Sequence, residues 1–237
     1  MHEEHGFRWL AQIPALSHYP NHVVMAVIVA VLLFVTTTIA RMQLSSAMSG
    51  PGGGLIPAAK LTYRGFFEVL AEKLYGITES VLGHHAAPTY FPLIGTLFVF
   101  IFTSNFVGLI PGVLPATEDV NTTFAVGAFV FLYYNYVGLK TSGLAYLKHF
   151  LGPVWWLAWL ILPIELFSHL FRPVTLGIRL RANIFADHQV LGAFSSLVEW
   201  GVPIIFMGFG LFVSLLQAFV FCVLTMVYIS LATAHDH

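Results

Sequence analysis

Long apolar runs, interrupted by charge at a few places, organise this chain. No Asp, Glu, Lys or Arg lies between Trp9 and Ala40, and the apolar core His22–Ile39 can form one span. Ser80–Thr117 is equally uncharged, with a second span at Tyr90–Ile110, and Val120–Leu139 makes a compact third. Leu151 to Ala193 is apolar but carries Glu165, Arg172, Arg179, Arg181 and Asp187. Trp200 to Ala234 has no acidic or basic residue. A helix crosses ~30 Å of hydrocarbon in about 20 residues. The last two stretches would be roughly 50–65 Å long as continuous helices, more than ordinary tilt absorbs. The pattern predicts two long, steeply inclined helices joined in a hairpin around Ser195–Pro203.

The segment after the first span divides in two. Ser49–Gly54 reads SGPGGG, a flexible linker. Beyond it Tyr63, Phe66, Phe67, Leu70, Leu74, Ile77 and Val81 recur mostly at steps of three and four, with Arg64, Glu68, Glu72, Lys73 and Glu79 elsewhere. That is an amphipathic helix suited to the membrane surface or to a partner helix. The expectation is an all-α polytopic membrane protein in one domain, 1–237, with about five crossings. Its parts are an outside segment 1–20, spans 21–41, 90–111 and 120–139, an inner loop 42–88, and long tilted helices 151–193 and 197–234.

Composition supports this class. Hydrophobic residues make up 58% of the chain and charged residues 9%, against about 25% charged in soluble domains. A single cysteine, Cys222, excludes a disulfide scaffold and reads as a small core residue in its apolar run. A net charge of −1 argues against nucleic acid as a partner. The uninterrupted apolar runs argue against a β-barrel. Met1–Arg8, MHEEHGFR, resembles neither a cleavable signal nor a transit peptide. Basic residues alternate between loops: Arg8 before the first span, then Arg41, Lys60, Arg64 and Lys73, then none, then Lys140 and Lys148. The N-terminus is therefore expected outside and the C-terminus in the cytoplasm, and the missing transit peptide with the His-rich termini favours a bacterial plasma (inner) membrane over an organelle. His84, His85, His235 and His237 are adjacent or terminal pairs and weak grounds for a metal site; no cofactor is expected.

An ionisable residue at membrane depth costs at least ~2.5–3.5 kcal/mol, so the fourth stretch needs a reason for its charges. On a helical wheel at about 100° per residue with Arg179 at zero, Glu165 and Asn183 fall near +40°, Arg172 near +20°, Ser168 near −20° and Thr175 near −40°. These six groups share one narrow face. His169 and Asp187 lie at its margin near +80°, while His188 and Arg181 fall near the opposite side, at about 180° and 200°. Arginines snorkelling to headgroups leave such an aligned stripe unexplained, and Arg179 lies far from either end of the stretch. A water-accessible ion path explains it, with Arg179 as the fixed central charge; Arg is suited to this place because it stays protonated. The last stretch has a sparser stripe, Gly210, Ser214, Gln217, Phe221 and Thr225. Gln217 is its most polar member, suited either to this path or to a plain interhelical hydrogen bond.

Several segments match a known family. Arg172-Pro-Val-Thr-Leu-Gly-Ile-Arg179-Leu-Arg-Ala-Asn183 and Leu216-Gln217-Ala-Phe-Val-Phe-Cys-Val-Leu-Thr225-Met-Val-Tyr228-Ile-Ser230 resemble the signatures of subunit a of bacterial F-type ATP synthases. Asn105–Pro111 (NFVGLIP) and Asp119–Thr123 (DVNTT) are similar too, and the resemblance runs from about Asn21 to the C-terminus. It implies a stator subunit, itself without catalytic residues, beside a rotating ring of c subunits, with b subunits, the soluble ATP-synthesising sector (F1) and membrane lipids as its other partners. Two offset aqueous half-channels would carry H⁺, or Na⁺ in a sodium-coupled version. It implies that Arg179 is the stator charge separating them, with Asn183 and Gln217 beside it. Glu165 and Ser168 match the inner half-channel and His188 the outer one. Asp119, Thr175, Arg172 and Ser214 are secondary candidates.

The chain departs from some family members at two positions. Others carry Gly at the place of Asp187 and His at that of Gly210. The exchange keeps one titratable group between the two helices, so Asp187 and His188 together are expected to form the outer proton access. Asp187 could instead make only a local helix-end contact. Arg181 is an additional charge whose role the sequence leaves open, with lipid headgroups or another subunit as candidate contacts. Two alternatives compete. A secondary transporter could bind an anion at Arg179, but the internal repeat common in transporters is missing. A membrane scaffold needs no aligned stripe.

Overall fold

The computed structural model describes residues 19–48, 63–110, 112–143, 146, 156, 158–197 and 202–233. The all-helical expectation is borne out: the described residues form six helices and one short 3₁₀ segment, with no strand. The helices are α1 (Asn21–Met48), α2 (Tyr63–Leu82), α3 (Ala87–Gly108), α4 (Val120–Ser142), α5 (Ala158–Leu197) and α6 (Val202–Thr233). The 3₁₀ segment is Ala116–Glu118. All but α2 are long and apolar enough to cross a membrane. The linker Ser49–Gly54, the N-terminal segment to His18 and His235 and His237 lie outside the described residues.

Helix boundaries follow local chemistry. Gly83, with φ of +81°, ends α2 in the left-handed region, and its N–H donates to the Glu79 carbonyl. Pro88 occupies the first turn of α3, where a missing N–H costs nothing. Asp119 caps α4, its carboxylate accepting from Asn121 N–H at 2.8 Å. α1 continues beyond Arg41 to Met48. α5 runs through Pro163 and Pro173 without breaking, although each removes one backbone donor.

Helices α3, α4, α5 and α6 enclose one core. Ile94, Phe98 and Ile101 of α3, Val130 and Tyr134 of α4, Leu176 and Leu180 of α5, and Phe221, Met226 and Ile229 of α6 are buried in it. The amphipathic α2 has found partner helices: Leu74 is buried, and Leu70, Ile77 and Val81 pack on the same cluster against α3 and α6. Phe66 and Val69, nearer its N-terminal end, are exposed. α1 stands further out. Its buried residues, Val24, Met25 and Val29, all lie near its N-terminal end. Cys222 is a small core residue, its Sγ 3.6 Å from the Ile94 carbonyl. Large exposed side chains such as Trp159 and Ile205, at 76% and 72%, form an outer surface suited to lipid or other subunits rather than water.

α5 and α6 run antiparallel in one register. Phe194 stacks on Phe206 with ring centroids 4.4 Å apart; Asn183 meets Gln217; Arg172 lies over Tyr228. Each step of eleven residues back along α5 meets a step of eleven forward along α6. Eleven residues are about three helical turns, so all three pairs fall on one seam. The tip of this hairpin, 198–201, lies outside the described residues.

α4 crosses α5 with almost no space between the backbones. A Cβ on Gly127 would lie 2.7 Å from the Pro173 carbonyl oxygen, and one on Gly177 would lie 3.2 Å from the Thr123 oxygen. Backbone cannot yield as a flexible side chain can. Gly127→Val should therefore lower stability by about 1–3 kcal/mol, read as a lower unfolding midpoint in lipid bicelles. Gly76→Ala, where no atom lies within 4 Å, should match or exceed the parent in the same assay.

Candidate ion-path site

The periodicity of α5 separates its polar groups by their surroundings. Its packed face carries the buried His169, Pro173, Leu176, Gly177, Leu180 and Ile184. The polar stripe runs along one edge of that face. Glu165, Arg172 and Asn183 are half-buried, whereas Ser168, Thr175 and Arg179 are exposed. The two edges of α5 therefore meet different neighbours.

On the stripe edge, α6 supplies partners. Asn183 Nδ2 donates to Gln217 Oε1 at 2.6 Å. Gln217 is 5% exposed, and its Nε2 has no hydrogen-bond partner among the described residues. Ser214 is buried one turn away. Arg172 is held twice, by Glu165 Oε1 at 3.9 Å and by the Tyr228 ring at 5.2 Å. Thr175 donates to the Arg172 carbonyl at 3.0 Å, so its hydroxyl serves the helix itself. Ser168 borders a shallow groove with Pro163, Ile164, Phe167 and Phe171. Arg179, close to the middle of α5, has neither hydrogen bond nor ion pair among the described residues.

On the other edge, the α3–α4 connection supplies partners. His188 Nδ1 lies 3.2 Å from Glu118 Oε2, and its Nε2 lies 3.0 Å from the Gly108 carbonyl. Arg181 Nε donates to the Glu118 carbonyl at 3.3 Å. The residue that sequence leaves to headgroups or another subunit thus has a contact within its own chain. Asp187 is half-buried and directly precedes His188 along α5. Gly210 is buried where a Cβ would lie 2.7 Å from Leu109 Cδ2, so that wall has no room for a larger side chain without a shift. Asp119 pairs with His22 of α1 at 3.3 Å.

The structure therefore joins Asn183 to Gln217 and Glu165 to Arg172, and among the described residues it does not bring Ser168, Thr175 or Arg179 onto a partner from another helix. It also adds groups that periodicity missed. Asn135 Oδ1 accepts from Tyr146 Oη at 3.0 Å and lies 2.8 Å from His169 Nε2, a polar knot between α4 and α5. Glu118 is a second. A lone loop acid has no periodic signal, and only the fold brings it to His188. His84 of the α2–α3 turn is exposed and paired with Glu79.

Helices able to cross a membrane, with ionisable groups set into the seam between the last two, define a polytopic membrane protein of the ion-handling kind. Residues 22–230 match the family described as ATP synthase A chain, and the chain belongs to that family. It is similar to ATP synthase subunit a of Bdellovibrio bacteriovorus, 44% identical over 98% of this chain and 100% of that one. The subunit a of Sorangium cellulosum is 47% identical over 77% of this chain and 72% of its own. Subunit a 2 of Syntrophotalea carbinolica is 38% identical over 100% of this chain and 91% of its own.

The Asn183–Gln217 bond ties the two long helices at the centre of the seam. Asn183→Ala and Gln217→Ala, alone and together, should show a coupling of about 0.6–1.7 kcal/mol in a double-mutant cycle on unfolding in bicelles. Strictly additive losses would mean that the bond does not hold the seam.

Proposed function

We propose that this chain is the proton-translocating stator subunit of an F-type ATP synthase in a bacterial inner membrane. It forms two offset aqueous half-channels beside a rotating c ring, with b subunits and the soluble sector attached, and does no catalysis itself. The observation that carries this is the state of Arg179. A guanidinium at mid-span without a counter-charge is costly, and the neighbouring Arg172 and Arg181 are both engaged. Arg179 is exposed on the edge of the seam, where a carboxylate from another subunit can reach it.

The chemistry follows from this placement. A ring carboxyl group in lipid stays neutral, because burial disfavours its charged form. Opposite Arg179 the nearby cation favours the carboxylate, and the proton leaves through one half-channel. The ionised site can re-enter lipid only after taking a proton from the other half-channel. Arg179 repels protons and so blocks direct passage between the two. Glu165 and Ser168 line the inner half-channel, and Asp187 with His188 the outer one. Asn183 and the free Nε2 donor of Gln217 hold the polar ground beside the arginine. A charge crossing the membrane potential carries ~2.3 kcal/mol per 100 mV, which drives rotation in one direction.

Arg179→Gln should assemble to parental levels on inverted vesicles yet show no ATP-driven proton pumping, a loss of at least about a hundredfold given the several kcal/mol at stake. Pumping near the parental rate would make Arg179 a structural charge and reject this function for the seam.

A further inference from the structure

We propose that Glu118 and His188 form a one-proton relay at the outer end of the path, with the Gly108 carbonyl fixing the imidazole tautomer; this rests on the seam's proposed role as the ion path. The tautomer follows from donor chemistry. A carbonyl only accepts, so the 3.0 Å contact between His188 Nε2 and Gly108 oxygen places a hydrogen on Nε2. Nδ1 is then the nitrogen that gains and loses a proton; Glu118 Oε2 lies 3.2 Å from it and makes no hydrogen bond among the described residues, so this nitrogen is its nearest cationic partner. A bare lone pair opposite an ionised carboxylate is unfavourable. The pair is stable with one proton between the two atoms, as imidazolium with carboxylate or as neutral imidazole with carboxylic acid. Both side chains are partly exposed, at 23% and 29%, although Glu118 Oε2 itself is buried.

The fold builds this corner deliberately tight. A Cβ on Gly108 would lie 2.6 Å from Pro115 Cγ, so glycine lets the loop fold back over the end of α3. Thr117 Oγ1 donates to Asn105 Oδ1 at 2.8 Å and fixes the 3₁₀ segment to α3. Ser104 Oγ, Asn105 Nδ2 and Glu118 Oε2 are buried without hydrogen-bond partners among the described residues, so this wall has polar capacity that the fold does not use.

The charged surroundings are few. From α5, Arg181 bonds the Glu118 backbone, and Asp187 directly precedes His188. Asp119 is committed to His22 and to the start of α4. α3 and α6 contain no Asp, Glu, Lys or Arg. In each cycle the pair takes one proton from the outer water, releases one toward Asp187 and the ring carboxylate, and returns to its one-proton state.

The test uses the intact complex in inverted vesicles, with assembly read as membrane-bound ATP hydrolysis. ATP synthesis is followed against lumen pH while a potassium diffusion potential keeps the total driving force constant. Without the Glu118 carboxylate the imidazolium loses its stabilising charge and forms only at lower pH. Glu118→Gln should move the midpoint down by about one pH unit, with about a tenfold lower rate above it. Glu118→Asp should fall between Gln and the parent, and it supplies the reading if Glu118→Gln does not assemble. If both Glu118 variants keep the parental midpoint while Asp187→Asn and His188→Gln lose rate, the relay is rejected and the path stands. If Asp187→Asn and His188→Gln are also parental, the outer path itself fails.

Discussion

A guanidinium in the middle of a membrane helix must find water, a counter-charge or an aromatic face, and the C-terminal half of this protein is arranged around which arginine receives which. Arg172 has the Glu165 carboxylate and the Tyr228 ring. Arg181 has the Glu118 carbonyl. Arg179 has no partner among the described residues. The first two charges are settled inside the subunit, so they hold shape. In the proposed function the third is left to a carboxylate of a neighbouring subunit, so its energy depends on what stands opposite.

That division needs α5 to show two different edges, which in turn needs α5 to be held at a fixed rotation. Three contacts with α6, spaced by about three turns, set the rotation from one side. The glycine crossing with α4 sets it from another, because two backbones in contact tolerate little sliding. The polar knot of His169, Asn135 and Tyr146 adds a directional constraint near the Glu165 end. Near the other end His188 is held through both ring nitrogens. The proposed inner and outer polar zones therefore lie at different heights and on different edges of one rigid helix. In the proposed function such an offset keeps the two half-channels apart.

Much of this was legible in the sequence. Apolar run lengths give the helical class and the length of the last two helices, because hydrocarbon thickness fixes the number of residues needed. The stripe on α5 is visible because 3.6-residue periodicity aligns Glu165, Arg172, Arg179 and Asn183. Periodicity also separates His188 and Arg181 from that stripe, as their contacts with the α3–α4 connection reflect. What it cannot supply is the neighbour. Glu118 and Asn135 meet α5 only through tertiary contacts spanning tens of residues, and neither belongs to an aligned set. The NFVGLIP motif was recognisable as a string, whereas the reason for its glycine, the closure of Pro115 over α3, is a matter of three-dimensional space. Arg181, whose role the sequence leaves open, also touches the Glu118 carbonyl, a contact the wheel cannot show because it gives a direction but not what lies there.

The lone thiol has a practical consequence. Cys222 is sealed in the core with its sulfur against the Ile94 carbonyl, and a buried thiol in apolar surroundings is inert. The native chain is therefore already a silent background for maleimide chemistry. A cysteine introduced at Ser168, Thr175 or any other exposed stripe position becomes the one reactive sulfur. Aqueous access along the seam can then be mapped residue by residue, without first stripping the protein of its own cysteine.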